Sequence, residues 1–267
     1  MGLTNRPRAS SASICTLEAR YVRASDAVVD AHARQLAAHL QCTYLSAACS
    51  PTTDAAGPGL LVTPAGLALL LPGFAPLRVD ATNVAVRRRA AAGRRLHLFR
   101  ACGAHIARLR IVDATAGLGR DAFALAWAGA QVLMIEREPI LAVLLDAAVA
   151  ALAGTAAPLR TRLEVHAGDA CGLLAQLYDG HDVICLDPMF ADVPGGMPGR
   201  EMQMLARLDS GDDGAALLAA ALALHAPRVV VKRGRNQPSL GAGSVRPHHQ
   251  IVGKRIRFDV YQSATVG

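Results

Sequence analysis

The fold of this 267-residue chain is decided by the stretch Ile111-Val112-Asp113-Ala114-Thr115-Ala116-Gly117-Leu118-Gly119-Arg120-Asp121. A short β-branched segment leads through an acid and two glycines into a helix-forming segment. Glycine permits a tight turn where a β-carbon would collide with a ligand. The helix that follows directs its free N–H groups at that turn. The pattern predicts a strand, a cofactor-binding turn and a helix.

Short apolar segments and helical segments alternate around and after this turn. The predicted strands are Leu109–Asp113, Gln131–Glu136, Arg162–His166, Asp182–Asp187 and Arg228–Lys232. The predicted helices are Asp121–Ala128, Ile140–Ala153, Cys171–Leu177 and Gly214–His225. This alternation predicts an α/β fold with a doubly wound, mostly parallel sheet. His249–Val252 and Ile256–Tyr261 predict a terminal antiparallel hairpin, which is how class I (Rossmann-like) methyltransferases end.

The first 85 residues follow a different pattern. Alanine-rich helical periodicity covers Ala27–Leu40. Leu60–Thr63, Leu67–Leu71 and Leu77–Asp80, separated by Pro/Gly turns, predict a small antiparallel meander. We expect a small N-terminal α+β subdomain over 1–85, with roughly the first ten residues disordered, and a larger cofactor-binding α/β domain over 86–267.

Composition narrows the class of protein. The chain is 52% hydrophobic, yet no apolar run reaches the length that spans a bilayer, and the small, polar segment from Met1 to Ser13 does not resemble a secretory signal. We therefore expect a cytoplasmic protein without a membrane partner. Six scattered cysteines without a C-x-x-C pair predict reduced thiols and no metal site. The net charge of +7 is compatible with a polyanionic partner.

Two cofactors compete for the glycine turn. The dinucleotide pattern is also satisfied by Gly117-x-Gly119-x-x-Ala122, with Glu136 at the end of the next strand, about where a ribose-binding acid belongs. Asp113, however, ends its strand four residues before Gly117, where its carboxylate would repel a bound pyrophosphate. This acid favours S-adenosylmethionine, whose methionine ammonium it can hold directly or through a water.

Acids follow the other predicted strands at the same edge of the sheet. Glu136 is well placed to accept both ribose hydroxyls, and Gly168-Asp169 places a carboxylate near the adenine amine. Asp121 is either a second acid near the cationic cofactor or an N-terminal helix residue favoured by the dipole. Both interpretations of Asp121 remain open from the sequence.

Asp187-Pro188-Met189-Phe190 follows the fourth predicted strand. It is similar to the [N/D]-P-P-[Y/F/W] motif of enzymes that methylate exocyclic or amide nitrogens. Asp187 and a carbonyl near Pro188 would accept the N–H groups of an amine and turn its lone pair toward the methyl group. Phe190 offers a stacking face worth ~1–3 kcal/mol per base. The motif predicts methylation of an amino group on a planar substrate.

Together, the segments Val112–Phe123 and Leu186–Phe190 resemble the ribosomal small-subunit RNA methyltransferase J family, which methylates guanine N2 in 16S rRNA. Weaker similarity covers Arg228–Arg233 and Arg257–Tyr261. The resemblance implies contacts with S-adenosylmethionine by Arg120, Asp121, Glu136, Arg137, Gly168, Asp169 and Asp187. It also implies that 16S rRNA or the small ribosomal subunit is the partner and that the product is N2-methylguanine near the 3′ end of that RNA.

The chain departs from the family at some positions. Ala191 replaces a proline, Ala91–Arg95 replaces a glycine-rich run, and the segment from Phe190 to Met202 has lost most of its expected basic residues. Three alternatives remain: methylation of another amino group such as adenine N6, an NAD-dependent oxidoreductase, and a non-catalytic RNA-binding protein.

Clustered basic residues predict the RNA-binding surface. The candidates lie before the glycine turn and after the fifth predicted strand: Arg87, Arg88, Arg89, Arg94, Arg95, Lys232, Arg233 and Arg235. Guanidinium groups suit phosphate contacts. The hairpin cluster of Lys254, Arg255 and Arg257 is not distinguished from a solvated face.

Overall fold

The computed structural model describes residues 21–49, 57–188, 199–208, 214–241 and 245–263. The expected disordered start and the predicted stacking residue Phe190 lie outside these ranges. Within them, the protein is a mixed α/β structure that contains two sheets.

The helices and strands are numbered in chain order. The strands are β1 Tyr21–Ala24, β2 Thr43–Leu45, β3 Gly59–Thr63, β4 Gly66–Leu70, β5 Arg110–Asp113, β6 Gln131–Glu136, β7 Leu163–Ala167, β8 Val183–Leu186, β9 Arg228–Gly234, β10 His249–Val252 and β11 Ile256–Gln262. The helices are α1 Asp30–His39, α2 Val84–Ala92, α3 His97–Cys102, α4 Arg120–Trp127, α5 Pro139–Ala150, α6 Leu152–Thr155, α7 Ala157–Arg160, α8 Ala170–Leu177, α9 Arg200–Leu208 and α10 Gly214–Ala223.

Seven of the strands in the described ranges form the larger sheet, in the order β10-β11-β9-β8-β5-β6-β7. Strands β5 to β9 are parallel, and β11 pairs antiparallel with both β9 and β10. The chain first builds from β5 toward β7 and then returns to place β8 on the other side of β5. The prediction of a doubly wound sheet with a C-terminal antiparallel hairpin is confirmed.

Strand β6 shows why this sheet is covered on both faces. Its residues Val132 and Met134 belong to one apolar core, and Leu133 and Ile135 belong to another. Successive side chains of a strand point to opposite faces, so an uninterrupted apolar run requires helices on both sides. The first core includes residues of α2, α3 and α4, and the second includes residues of α8 and α10.

The smaller sheet has the order β2-β1-β3-β4 and precedes the larger one in the chain. Strand β1 runs parallel to β2 and β3, and β3 pairs antiparallel with β4. The predicted meander is wrong in its third strand, because Leu77 forms only an isolated bridge with Leu69. Pro72 and Pro76 flank this short return and limit ladder pairing.

A third apolar core joins the smaller sheet to the rest of the protein. It contains Val22 and Leu60 from the smaller sheet, Leu118 from the glycine turn, Ile140 from α5 and Met204 from α9. The expected domain division after residue 85 remains a prediction. No helix in the described ranges is long and apolar enough to cross a membrane.

Candidate active site

A cavity of about 300 Å³ opens at the carboxyl ends of β5 to β9, where the strand order reverses. Ligands of open α/β sheets bind at this position. The predicted residues Asp113, Gly117, Glu136, Asp169 and Asp187 all line the cavity. The fold therefore brings together acids that are up to 74 positions apart in the sequence.

The glycine turn depends on backbone conformations that favour glycine. Gly117 has φ of +55° and Gly119 has φ of +70°. A β-carbon on Gly119 would lie 2.7 Å from side-chain carbons of Leu145 and Phe123. The Gly117 N–H donates to Glu136 Oε2 at 2.7 Å, which fixes the turn to the end of β6. Strand, turn and helix α4 follow one another as the sequence predicts.

Asp113 ends β5 and is only 6% exposed. Burial, and to a smaller degree the nearby Asp121 charge, raises the pKa of this carboxyl to about 7. The Thr115 N–H donates to Asp113 Oδ1 at 3.3 Å, which favours the charged form. A cationic ligand in the cavity would stabilise that charged form more strongly.

Two glutamates lie at the end of β6. The Glu136 side chain is buried and accepts backbone N–H groups at both oxygens, from Gly117 at 2.7 Å and from Glu138 at 2.8 Å. Glu138 is also buried, and its Oε1 has no hydrogen-bond partner in the described part of the chain. Burial raises the pKa of each carboxyl to about 7.

Gly168 and Asp169 connect β7 to α8. Gly168 has φ of +142°, and a β-carbon there would lie 2.7 Å from Leu173 Cδ1. The exposed Asp169 caps α8, because its Oδ1 accepts the Cys171 N–H at 3.0 Å. Asp169 therefore has a structural role as well as its place at the edge of the cavity.

Asp187 follows β8 and is held from two sides. Its backbone N–H donates to Thr115 Oγ1 at 2.6 Å, and its Oδ2 accepts from Lys232 Nζ at 2.5 Å. Burial raises the pKa of Asp187, whereas the Lys232 ammonium opposes that shift. The Asp187 side chain is 40% exposed and so remains open to the cavity. Pro188, directly after it, is buried.

Asp121 belongs to an ion-pair network with basic side chains. Its carboxylate pairs with Arg89 of α2 and lies 3.5 Å from Lys232 Nζ. Arg89 and Lys232, both predicted to bind RNA, therefore line the cavity beside the acids. This network balances the charge of Asp121 and gives it more than a helix-cap role.

Two further predicted cofactor residues form other parts of the cavity wall. Arg120 begins α4 and forms an ion pair with Glu201 of α9, so that α9 closes one side of the cavity. Arg137, which lies between Glu136 and Glu138 in the sequence, is half-buried and also lines the cavity.

The other predicted RNA-binding residues lie in two environments. Those exposed at the surface are Arg87, Arg88, Arg94, Arg95 and Arg235. Arg233 is only 7% exposed and donates from Nε to Pro238 O at 3.0 Å. Its location gives no support for RNA contact, because alternate residues of β9 point to opposite faces and Arg233 points inward. Arg257 of the hairpin is likewise buried and pairs with Asp259.

The residues of the cavity fit S-adenosylmethionine. Carboxylates suit a sulfonium, an ammonium and sugar hydroxyls, and Gly117 lines the cavity beside them. Gly119 is not part of the cavity lining, and a β-carbon there would collide with Leu145 and Phe123 instead. In the described ranges, no group of three or more His, Cys, Asp or Glu is arranged to hold a metal ion.

Comparison with known proteins identifies the family. Residues 51–263 match the family model "Putative SAM-dependent methyltransferase". Ribosomal RNA small subunit methyltransferase J of Chromohalobacter salexigens is 43% identical over 216 residues, 76% of this chain and 84% of the relative. The chain belongs to this methyltransferase family. The protein of the same name from Alkalilimnicola ehrlichii is 42% identical over 74% of this chain and 79% of its own length.

A solved structure agrees with this assignment. The crystal structure of a SAM-dependent methyltransferase from Neisseria gonorrhoeae is 30% identical and has a TM-score of 0.62. The match covers 84% of this chain and 89% of that one. This methyltransferase therefore uses S-adenosylmethionine, and the dinucleotide interpretation of the glycine turn is excluded.

Sequence reasoning missed three features of the site. The sequence pattern does not single out Glu138 beside Glu136, it does not predict α9, and it places Lys232 and Arg89 on the RNA surface. One available signal was the scarcity of lysine: Lys232 and Lys254 are the only lysines in a chain with 28 basic residues. Lys232 also lies in an apolar strand, where an unpaired ammonium would be costly.

Proposed function

We propose that this methyltransferase methylates the exocyclic N2 of a guanine in 16S rRNA of the small ribosomal subunit. The observation that carries the proposal is Asp187, held beside the cofactor cavity by Thr115 and Lys232. The names of its relatives support ribosomal RNA as the substrate. Such a substrate would place the enzyme in the cytoplasm.

The chemistry requires an oriented amine rather than a strong base. The lone pair of an exocyclic amine is delocalised into its ring, so the free amine is a poor nucleophile. Asp187 Oδ2 is held by Lys232, and we assign the other carboxylate oxygen to accept an N–H of guanine N2. This hydrogen bond would orient the amine and stabilise the positive charge that develops on nitrogen.

When bound, S-adenosylmethionine supplies the electrophilic methyl group. Transfer of this methyl would exchange an S–C bond for an N–C bond and release S-adenosylhomocysteine. The nitrogen would then carry one proton in excess, which Asp187 or solvent accepts. The partial exposure of Asp187 gives that proton a route to water. Asp113 and Asp121 would provide negative charge beside the cationic end of the cofactor.

Methyl transfer to unmodified small-subunit RNA and to assembled particles tests the proposal. The digested RNA should contain N2-methylguanosine, and Asp187→Asn should lower the transfer rate about 100-fold or more. Asn at 187 keeps the shape of the side chain but loses its charge. Methylation of adenine alone, or an undiminished rate for the variant, would contradict the proposal. RNA binding without any transfer by the parent chain would favour a non-catalytic role.

A further inference from the structure

The basic residues of the terminal hairpin differ in their surroundings. Arg257 is buried in β11, whereas Arg255, in the turn between β10 and β11, is exposed. The Arg235 N–H donates to Arg255 O at 2.8 Å, and Arg235 Nη1 donates to Gly253 O at 3.3 Å. These bonds hold the segment after β9 against the hairpin turn. Two exposed arginines from separate parts of the sequence therefore lie on one surface.

The backbone of this surface is fixed by its neighbours. The Gly253 N–H donates to Ile256 O at 2.8 Å and so closes the turn. A β-carbon on the buried Gly253 would lie only 3.1 Å from His97 Nδ1, so α3 packs directly beneath the turn. Arg257 donates from Nη1 to Arg235 O at 2.8 Å. A surface held in this way needs little further ordering when a ligand binds.

Ile256 connects this surface to the cavity. It begins β11, is 36% exposed and belongs to the cavity lining. Phe258, on the same face of β11, also lines the cavity and is paired with Lys232, which holds Asp187. Ile256 is therefore one step farther out on this face, at the mouth of the cavity. An exposed apolar side chain at such a mouth suits the face of a planar ligand.

The two arginines supply positive charge beside that apolar residue. None of the ion pairs in the described part of the chain includes Arg235 or Arg255. Arg89 and Arg120, in contrast, are paired with acids. Guanidinium groups that no acid neutralises suit phosphate oxygens. Positive charge next to an apolar contact at the cavity mouth matches a nucleotide, which combines a phosphate with a planar base.

We propose that Arg235, Arg255 and Ile256 form one RNA-binding surface at the mouth of the cavity. The arginines bind phosphates beside the target nucleotide, and Ile256 contacts its base once that base has left the stack. This inference rests on the proposed function, because it requires an RNA substrate. It assigns to the hairpin a role that its charge pattern in the sequence did not distinguish from a solvated face.

The double variant Arg235→Gln/Arg255→Gln tests the phosphate contacts. It should bind unmodified small-subunit RNA more weakly, and the slope of log affinity against log salt should fall by about 1.4 to 1.8. Arg108→Gln/Arg160→Gln is the matched control, because both residues are exposed before strands of the parallel sheet, at the edge opposite the cavity. S-adenosylhomocysteine should bind both double variants with wild-type affinity. An unchanged slope in the first variant, or an equal fall in the control, would overturn the proposal.

Ile256→Ala tests the base contact. At saturating RNA it should lower the rate of methyl transfer about 10-fold and leave the salt slope unchanged, because it removes apolar contact and no charge. RNA with 2-aminopurine in place of the methylated guanine should show a smaller rise in fluorescence with this variant, since less of the base leaves the stack. Ile256→Leu should restore both signals.

Val252→Ala is the control for Ile256→Ala, because Val252 is 48% exposed on β10 and does not line the cavity. It should transfer methyl groups at the wild-type rate. Equal rates and equal fluorescence for the Ile256→Ala and Val252→Ala variants would overturn the base contact even if the wild type forms N2-methylguanosine. Failure of the wild type to form N2-methylguanosine would instead contradict the proposed function on which this surface rests.

Discussion

The ammonium group of Lys232 connects two carboxylates that have different tasks. It lies 2.5 Å from Asp187, which we assign to the substrate amine, and 3.5 Å from Asp121, on the cofactor side of the cavity. The charges of both acids raise the pKa of Lys232 despite its burial. The lysine therefore stays charged, opposes the rise that burial causes in the pKa of Asp187, and orients its carboxylate.

Lys232→Met should lower kcat for methyl transfer about 100-fold, because Asp187 would no longer be held in place. The pKa of Asp187 should rise without the ammonium, so the acidic limb of the pH–rate profile should move to higher pH. Single-turnover kinetics from pH 5 to 9 would measure both effects. Lys254→Met removes the other lysine, which is exposed on the hairpin turn, and should leave both unchanged. An unshifted pH profile in Lys232→Met would rule out this positioning role.

Glu138 should also make stability depend on pH. Its pKa is about 7 in the folded protein against an ordinary value of 4.5, so the folded state binds more protons between these values. Stability from this group is therefore lost as the pH rises from 4.5 through 7. Glu138→Gln should stabilise the ligand-free protein progressively over this range, by about 3 kcal/mol at most. Urea unfolding at pH 5 and 8 would show this, and an equal effect at both values would contradict it.

The strand-turn-helix element at residues 110–127 combines backbone strain with close packing. Gly119 has a positive φ, and a β-carbon added there would lie 2.7 Å from neighbouring side chains. Gly180 also has a positive φ, of +60°, but the space around it is open. The two positions therefore separate the cost of strain from the cost of a collision. Packing around Gly119 involves Phe123 of α4 and Leu145 of α5.

Gly119→Ala should destabilise the protein by about 2 to 4 kcal/mol, since overpacking adds to left-handed strain. Gly180→Ala should cost only about 1 to 2 kcal/mol. Chemical denaturation would compare the variants, and calorimetry should show weaker cofactor binding for Gly119→Ala alone. Equal destabilisation at both positions would mean that the collision is relieved by small movements.

Elements with strong local patterns were predictable. Strand β6 has the predicted bounds, because an apolar run ends at an acid. The short strands β1 and β2 were not predicted, since their parallel pairing depends on distant residues. Helix α9 follows a Gly/Pro-rich stretch that obscured it, although Met204 and Leu208 form a buried face.

In the site, the acids at strand ends were found from their positions, whereas the inward direction of Arg89 and Arg233 required tertiary structure.

At the scale of the whole molecule, the exposed arginines define a candidate RNA surface. Replacing Arg87, Arg88, Arg94 and Arg95 with Gln should weaken RNA binding and reduce its salt dependence. The slope of log affinity against log salt should fall by about 0.7 to 0.9 for each phosphate that the variant no longer neutralises. Filter binding at several salt concentrations would measure the slope. Arg34→Gln, on exposed α1, is the control. An unchanged slope in the variant with all four substitutions would show that these residues do not contact RNA phosphates.

The core around Leu118 links ligand binding to the stability of the smaller sheet. Leu118 is the residue between the two turn glycines, and it packs with Val22 and Leu60 of that sheet. A ligand that immobilises the turn should therefore slow local opening of β1 and β3 without touching them. Hydrogen–deuterium exchange should show slower amide exchange in β3 when S-adenosylhomocysteine is added. Conversely, a chain shortened to residues 86–267 would expose Leu118 and Ile140 to water, and the cofactor turn would lose the support that gives it its shape.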